Sequence, residues 1–201
     1  LSGFTEFCSS LKSSTIVSLS LRKCYLGPQA LGLLADAIKL MGALTSIALD
    51  GQPLSGSTPG KHPGSGRESF EEFGVDKADA DISGFKLLCE ALASSRIEII
   101  SMKNCYLGPH ALNFLADAIK LMGAIARLVL NGNTVTNYGK DLSGLTALCD
   151  VLPALKNPIS LELANCNLKV AEVNELARAM AAGGALTSIN CLANKFGEED
   201  L

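Results

Sequence analysis

The sequence predicts an α/β fold built by stacking repeats, and three observations predict it. Residues 24–43 recur nearly letter for letter as residues 105–124, an offset of 81, and residues 34–43 are identical to 115–124. Six segments share one template, apolar at positions 1, 4, 6 and 11 with Cys, Asn or Gln at position 9. Helical stretches of two alternating kinds lie between them. Self-similarity at a fixed period marks an array of units, none of which buries its own apolar face alone.

The first helix kind covers residues 1–11, 82–92 and 142–152. Each stretch opens on Ser-Gly and carries an apolar face at i, i+3, i+4 and i+7, as in Phe4, Phe7, Cys8 and Leu11. Each precedes a strand segment with its own Leu-x-Leu-like centre: Leu19 and Leu21, Ile100 and Met102, Leu161 and Leu163. Alternation makes those centres short strands with every second residue inward. Cys24, Cys105 and Cys166 follow at position 9. The second helix kind comes next, opening on Gly27-Pro28 or Gly108-Pro109, where proline's missing N–H costs nothing. Its expected buried faces are Leu31, Leu34, Ala35 and Ile38, then Leu112, Leu115, Ala116 and Ile119, then Val173, Leu176, Ala177 and Met180. Gly42, Gly123 and Gly183 are the expected stops. The other strands centre on Ile47, Leu128 and Ile189, with Gln52, Asn133 and Asn194 at position 9. The position-9 side chains are expected to turn inward as a polar ladder within an apolar core.

This pattern, L-x-x-L-x-L-x-x-N/C-x-L, resembles the leucine-rich repeat, and the alternation of two repeat types resembles its ribonuclease-inhibitor-like (RNI-like) subfamily. The resemblance covers nearly the whole chain. It implies an α/β solenoid, a right-handed βα superhelix with a curved parallel sheet on its concave face and helices on its convex face. It also implies a protein-binding scaffold, since most members of that family are one. The expected organisation is one domain over 1–201 with about six to seven repeats and an insertion at 55–80.

Bulk composition narrows the function classes. With 48% hydrophobic and 18% charged residues among 201, the chain is globular in composition. A net charge of −3 gives no footprint for nucleic acid or an anionic membrane. The most apolar run, 33–49, is interrupted by Asp36 and Lys39. Six of the seven cysteines recur at fixed positions, Cys24, Cys105 and Cys166 at position 9 and Cys8, Cys89 and Cys149 on the first helix kind, with Cys191 alone on an expected strand and no Cys-x-x-Cys pair. They read as buried free thiols, which implies a reducing, cytoplasmic setting and no disulfide, metal or cofactor. The absence of an initial Met and of polar capping units at Leu1 and Leu201 predicts a fragment with flanking repeats missing, or self-association through its ends.

Residues 55–80 are rich in Gly, Ser and Pro and then acidic. They are expected to form a mobile loop, with Phe70 and Phe73 as the residues able to pin it to the scaffold or touch a partner. Asp79, Asp81, Ser83, Gly84 and Glu90 match a calcium-loop spacing, but residues 82–92 align with helices and Asp81 and Ser83 read better as capping residues. Gly56 to Lys61 lacks the spacing of a phosphate loop, and His62 and His110 fall far apart in the repeat scheme.

Strand alternation places the candidate binding residues on the concave face: Ser20, Arg22, Asp50, Ser101, Lys103, Arg127, Asn131, Glu162 and Asn190. Arg22, Lys103 and Arg127 are expected to form a basic patch with Glu162 beyond it. The expected function is a non-catalytic protein–protein interaction scaffold with a protein partner. The alternatives are a metal- or ligand-responsive module using 55–90, or a GTPase-activator-like regulator using Arg22 and Arg127.

Overall fold

A computed structural model of the chain describes residues 1–197; the Leu201 end invoked above lies outside them. In chain order the elements are α1 (Ser2–Leu11), β1 (Ser18–Ser20), α2 (Pro28–Ile38), β2 (Ser46–Ala48), β3 (Thr58–Lys61), β4 (Glu68–Ser69), α3 (Phe70–Phe73) and β5 (Val75–Lys77). They continue with α4 (Ser83–Ala93), β6 (Ile99–Ser101), α5 (Pro109–Leu121), β7 (Arg127–Val129), α6 (Ser143–Val151), β8 (Ile159–Glu162), α7 (Val170–Ala181) and β9 (Leu186–Asn190). Among the described residues no helix is long and apolar enough to cross a membrane.

All six strands fall where the template placed them and form one parallel sheet in the order β1-β2-β6-β7-β8-β9. The register is in phase with the template. Leu19, Ile47, Ile100, Leu128, Leu161 and Ile189 lie side by side across the sheet. The first five are buried and share one apolar core with the helix faces. The helices pack in succession, α1 on α2, α2 on α4, α4 on α5, α5 on α6 and α6 on α7. Burying each such Leu or Ile contributes about 1.5–3 kcal/mol.

The Ser-Gly and Gly-Pro openings explain each other. A Cβ on Gly84 would lie 2.5 Å from the Pro28 carbonyl oxygen, and one on Gly144 would lie 2.2 Å from that of Pro109. Glycine at the start of α4 and α6 thus lets each helix touch the start of its neighbour. Gly3, at the same place in α1, meets nothing.

Each seam between strands carries a polar stitch, buried at Gln52 and Asn133 and half-buried at Asn194. The Gln52 amide accepts from Leu26 N–H and donates to the carbonyls of Leu21 and Leu49, joining β2 to β1. Asn133 accepts from Cys105 and Leu107 and donates to Met102 and Leu130, joining β7 to β6. Asn194 does the same from β9 to β8. The other two seams are crossed by sulfur. Cys105 Sγ donates to the Leu49 carbonyl of β2's turn at 3.3 Å, and Cys166 Sγ to Leu130 of β7's turn at 3.3 Å.

Cys24 corrects the expectation of burial. It is exposed, because β1 is at the edge of the sheet and, among the described residues, no strand lies on its other side to supply that carbonyl. Its thiol reaches only Arg22 O. Each of these cysteines sits between two left-handed residues: Lys23 and Tyr25, Asn104 and Tyr106, Asn165 and Asn167. The backbone doubles back there and turns the sulfur inward.

Three further expectations need correcting. Gly42 and Gly123 do not take the left-handed stop; α2 ends at Ile38, before Gly42, and only Gly183 has a positive φ, 75°. On α7, Leu176 is buried, but Ala177 is exposed and Met180 is half-exposed, since among the described residues no helix covers their outer side. Residues 55–80 are not a structureless loop. They form a three-stranded antiparallel sheet, β4-β3-β5, with the one-turn helix α3 between β4 and β5. Gly60 permits this, because a Cβ there would stand 2.3 Å from the Phe73 carbonyl oxygen.

Candidate functional site

The open sheet face presents the predicted candidates in two cross-strand rungs. Ser20, Ala48, Ser101, Val129, Glu162 and Asn190 share one rung. Backbone bonds from the residues just after them carry the next, Arg22, Asp50, Lys103, Asn131 and Ala164. The expected basic patch is largely neutralised. Arg22 Nε lies 3.0 Å from Asp50 Oδ2, and Asp50 Oδ1 also accepts from Ser101 Oγ at 2.7 Å and Lys103 N–H at 2.9 Å. Arg127 pairs with Glu162, whose other oxygen accepts from Asn131 at 3.0 Å. In-register parallel strands bring acid and base residues from adjacent strands within reach, which a strand-by-strand reading does not capture. Both arginines nominated for a GTPase-activator role are thus engaged in ion pairs. Asn190 bonds locally, accepting from Leu192 N–H. Partial burial raises the Glu162 carboxyl, but hydrogen bonds from Arg127 and Asn131 and the charges of Arg127 and Lys103 outweigh it, and the net shift is downward.

At the carboxyl ends of the strands this face runs into a cleft of about 680 Å³. One wall is made by the turns after β1, β6 and β8, which supply Lys23, Tyr25, Asn104, Tyr106 and Asn165. The other wall is the insertion, through Ser69, Phe70 and Glu71. The Phe70 ring stacks on Tyr106 with centroids 3.9 Å apart and planes 14° from parallel. Ser57 Oγ donates to Tyr106 O at 2.6 Å, and Val75 N–H to the Tyr138 hydroxyl at 3.3 Å. Burial, and then the nearby Glu71 carboxylate, push the Tyr106 phenol upward. Tyr25, at the same place in the first copy, is 77% exposed. A groove of similar size lies among α1, α2 and α4, but its lining is mainly apolar and it holds one charged side chain, Asp36.

The sequence reading did not find this cleft. A signal was present: Tyr25 and Tyr106 recur directly after the position-9 cysteine, a place that the core pattern does not claim. Nor did it find the role of Asp79. The calcium-loop acids are committed elsewhere: Asp79 accepts from Gly108 and Ala111 N–H at the start of α5, and Asp81 Oδ1 accepts from Ser83 N–H and Oγ–H. Among the described residues no group of three His, Cys, Asp or Glu side chains is placed to hold a metal ion. His62 Nδ1 accepts from Gly64 and Ser65 within the insertion, while His110 is exposed on α5. No protein-family model matches the chain, and a search of curated proteins finds no match.

Proposed function

We propose that this chain is a non-catalytic protein–protein interaction scaffold, a leucine-rich repeat solenoid of the RNI-like kind working in the cytoplasm. Support for the solenoid comes from the six-stranded in-register parallel sheet, the successive helix packing and the alternating amide and thiol stitches. Support for a reducing compartment comes from seven cysteines with no disulfide. The observation that carries the binding role is the open sheet face. Its polar side chains are braced by ion pairs and amide bonds across five strands, from Arg22 to Glu162, and stand ready without reordering. Preorganised polar surface lowers the entropic cost of association.

The test is cross-linked affinity capture from cells, comparing the wild type with Arg22→Glu plus Arg127→Glu. The expected result is a protein captured by the wild type and lost by the variant, which stays folded with a melting temperature lowered only modestly by the loss of its two ion pairs. Capture of the same set by both, or of nothing by either, overturns the proposal.

A further inference from the structure

We infer that the cleft between the insertion and the strand-end turns binds an extended peptide segment of a partner protein, with an acidic residue beside an apolar one. This rests on the interaction-scaffold reading and gives it a site away from the middle of the sheet. The cleft's volume, about 680 Å³, is within the range of sites that enclose a ligand or a few side chains. Its aromatic content is out of proportion to the chain. Tyr25, Phe70 and Tyr106 are three of the chain's ten Tyr and Phe residues, and Trp is absent. Tyr25 has no packing role: its ring is 77% exposed on a left-handed backbone, φ 51°. An exposed tyrosine beside a stacked aromatic pair is the kind of surface that dominates interface energetics.

The polar groups indicate a peptide. Among the described residues the side-chain amides of Asn104 and Asn165 make no hydrogen bond within the protein. A carboxamide offers one acceptor and two donors, matching the C=O and N–H of an extended main chain. Charge selects the side chain. Arg22 and Arg127 are neutralised by Asp50 and Glu162, but among the described residues Lys23, which lines the cleft, has no carboxylate within ion-pair distance. The uncompensated charge on the sheet side of the cleft is therefore positive. Glu71 on the insertion wall is negative, so an acidic residue is steered towards Lys23 and the apolar one towards Tyr25 and the Phe70–Tyr106 pair.

The test uses a phage-displayed library of short random peptides selected on the wild-type protein. One recovered peptide is then titrated by fluorescence polarisation. Tyr25→Gly is the decisive variant, because glycine accepts the left-handed backbone and removes only the ring. Its melting temperature should hold or rise while affinity falls at least about tenfold. Lys23→Gln should weaken acidic peptides in the same direction. Leu40→Gln, at an exposed position among the helices, should leave affinity unchanged. Peptides that bind the wild type and Tyr25→Gly equally, but lose Arg22→Glu plus Arg127→Glu, overturn the cleft inference and leave the scaffold reading standing. Recovery of no peptide, or equal loss on Leu40→Gln, also overturns it.

Discussion

The Asp79 carboxylate reaches out of the insertion to the start of α5, with Oδ1 2.9 Å from Gly108 N and Oδ2 3.0 Å from Ala111 N. A carboxylate on the free N–H groups of a helix satisfies orphan donors and complements the helix dipole. Asp79→Ala should therefore destabilise the protein by about 1 kcal/mol in urea unfolding. Asp79→Asn, which keeps one acceptor oxygen but no charge, should cost less. A loss confined to residues 55–80, with α5 unaffected in amide exchange, would contradict this role.

The mesh of glycine and proline at the helix starts predicts a position-specific steric effect. Gly144→Ala forces a methyl group against the Pro109 carbonyl and should cost about 1–3 kcal/mol. Gly84→Ala should behave alike against Pro28. Gly3→Ala, with open space at the same place in α1, should be neutral or slightly stabilising. Chemical denaturation of the three variants checks the ordering.

The Arg127–Glu162 pair predicts a pH dependence. The Glu162 carboxyl titrates below the ordinary glutamate value in the folded protein. Its contribution is complete above that ordinary value and is lost as the pH falls through the lowered one. Glu162→Gln should thus be less stable than the wild type by up to about 1 kcal/mol at pH 7, with the gap closing in acid. Urea midpoints at neutral and acidic pH measure this; a gap that widens in acid would refute it.

Thiol chemistry separates Cys24 from its counterparts. Burial pushes the thiols of Cys105 and Cys149 up to about 12 and that of Cys166 up to about 11, so little thiolate exists at mild pH. Cys24 is exposed. In native protein a thiol reagent at mild alkaline pH should modify Cys24 first, with Cys105, Cys149 and Cys166 reacting only on unfolding. Mass spectrometry of the partly labelled protein reads the order.

The fold was legible because its information is periodic. Leu19 to Ile189 repeat at one template position, and a parallel in-register sheet maps that position onto a single core line. The same template carried the candidate face residue by residue. It could not carry the pairing of those residues: whether Arg127 meets Glu162 depends on strand adjacency and rotamer, not on period. Residues 55–80 were misread for the opposite reason. Their order comes from single contacts with sequence-distant groups, Phe70 with Tyr106, Val75 with Tyr138 and Asp79 with Gly108, and no local pattern announces such contacts. Cys24 shows the limit of the template, since its environment depends on what stands before β1 rather than on its own position.

The stitches between strands have a mechanical consequence. Amide seams, with two donors and an acceptor each, hold β1 to β2, β6 to β7 and β8 to β9. In the seams from β2 to β6 and from β7 to β8 the interior stitch is a single thiol hydrogen bond, a weaker tie, and the open face adds the Asp50 bonds to Ser101 and Lys103 and the Glu162 bonds to Arg127 and Asn131. With Asp50 and Glu162 replaced by alanine, the sheet under load or mild denaturant should fracture along those two lines into two-strand blocks. The insertion spans one of them. Leaving β2 and returning ahead of β6, it fastens Ser57 and Phe70 to Tyr106 and Asp79 to α5. It works as a splint across the first of these lines, and the line between β7 and β8, which depends on the Glu162 contacts instead, is where such a variant should part first.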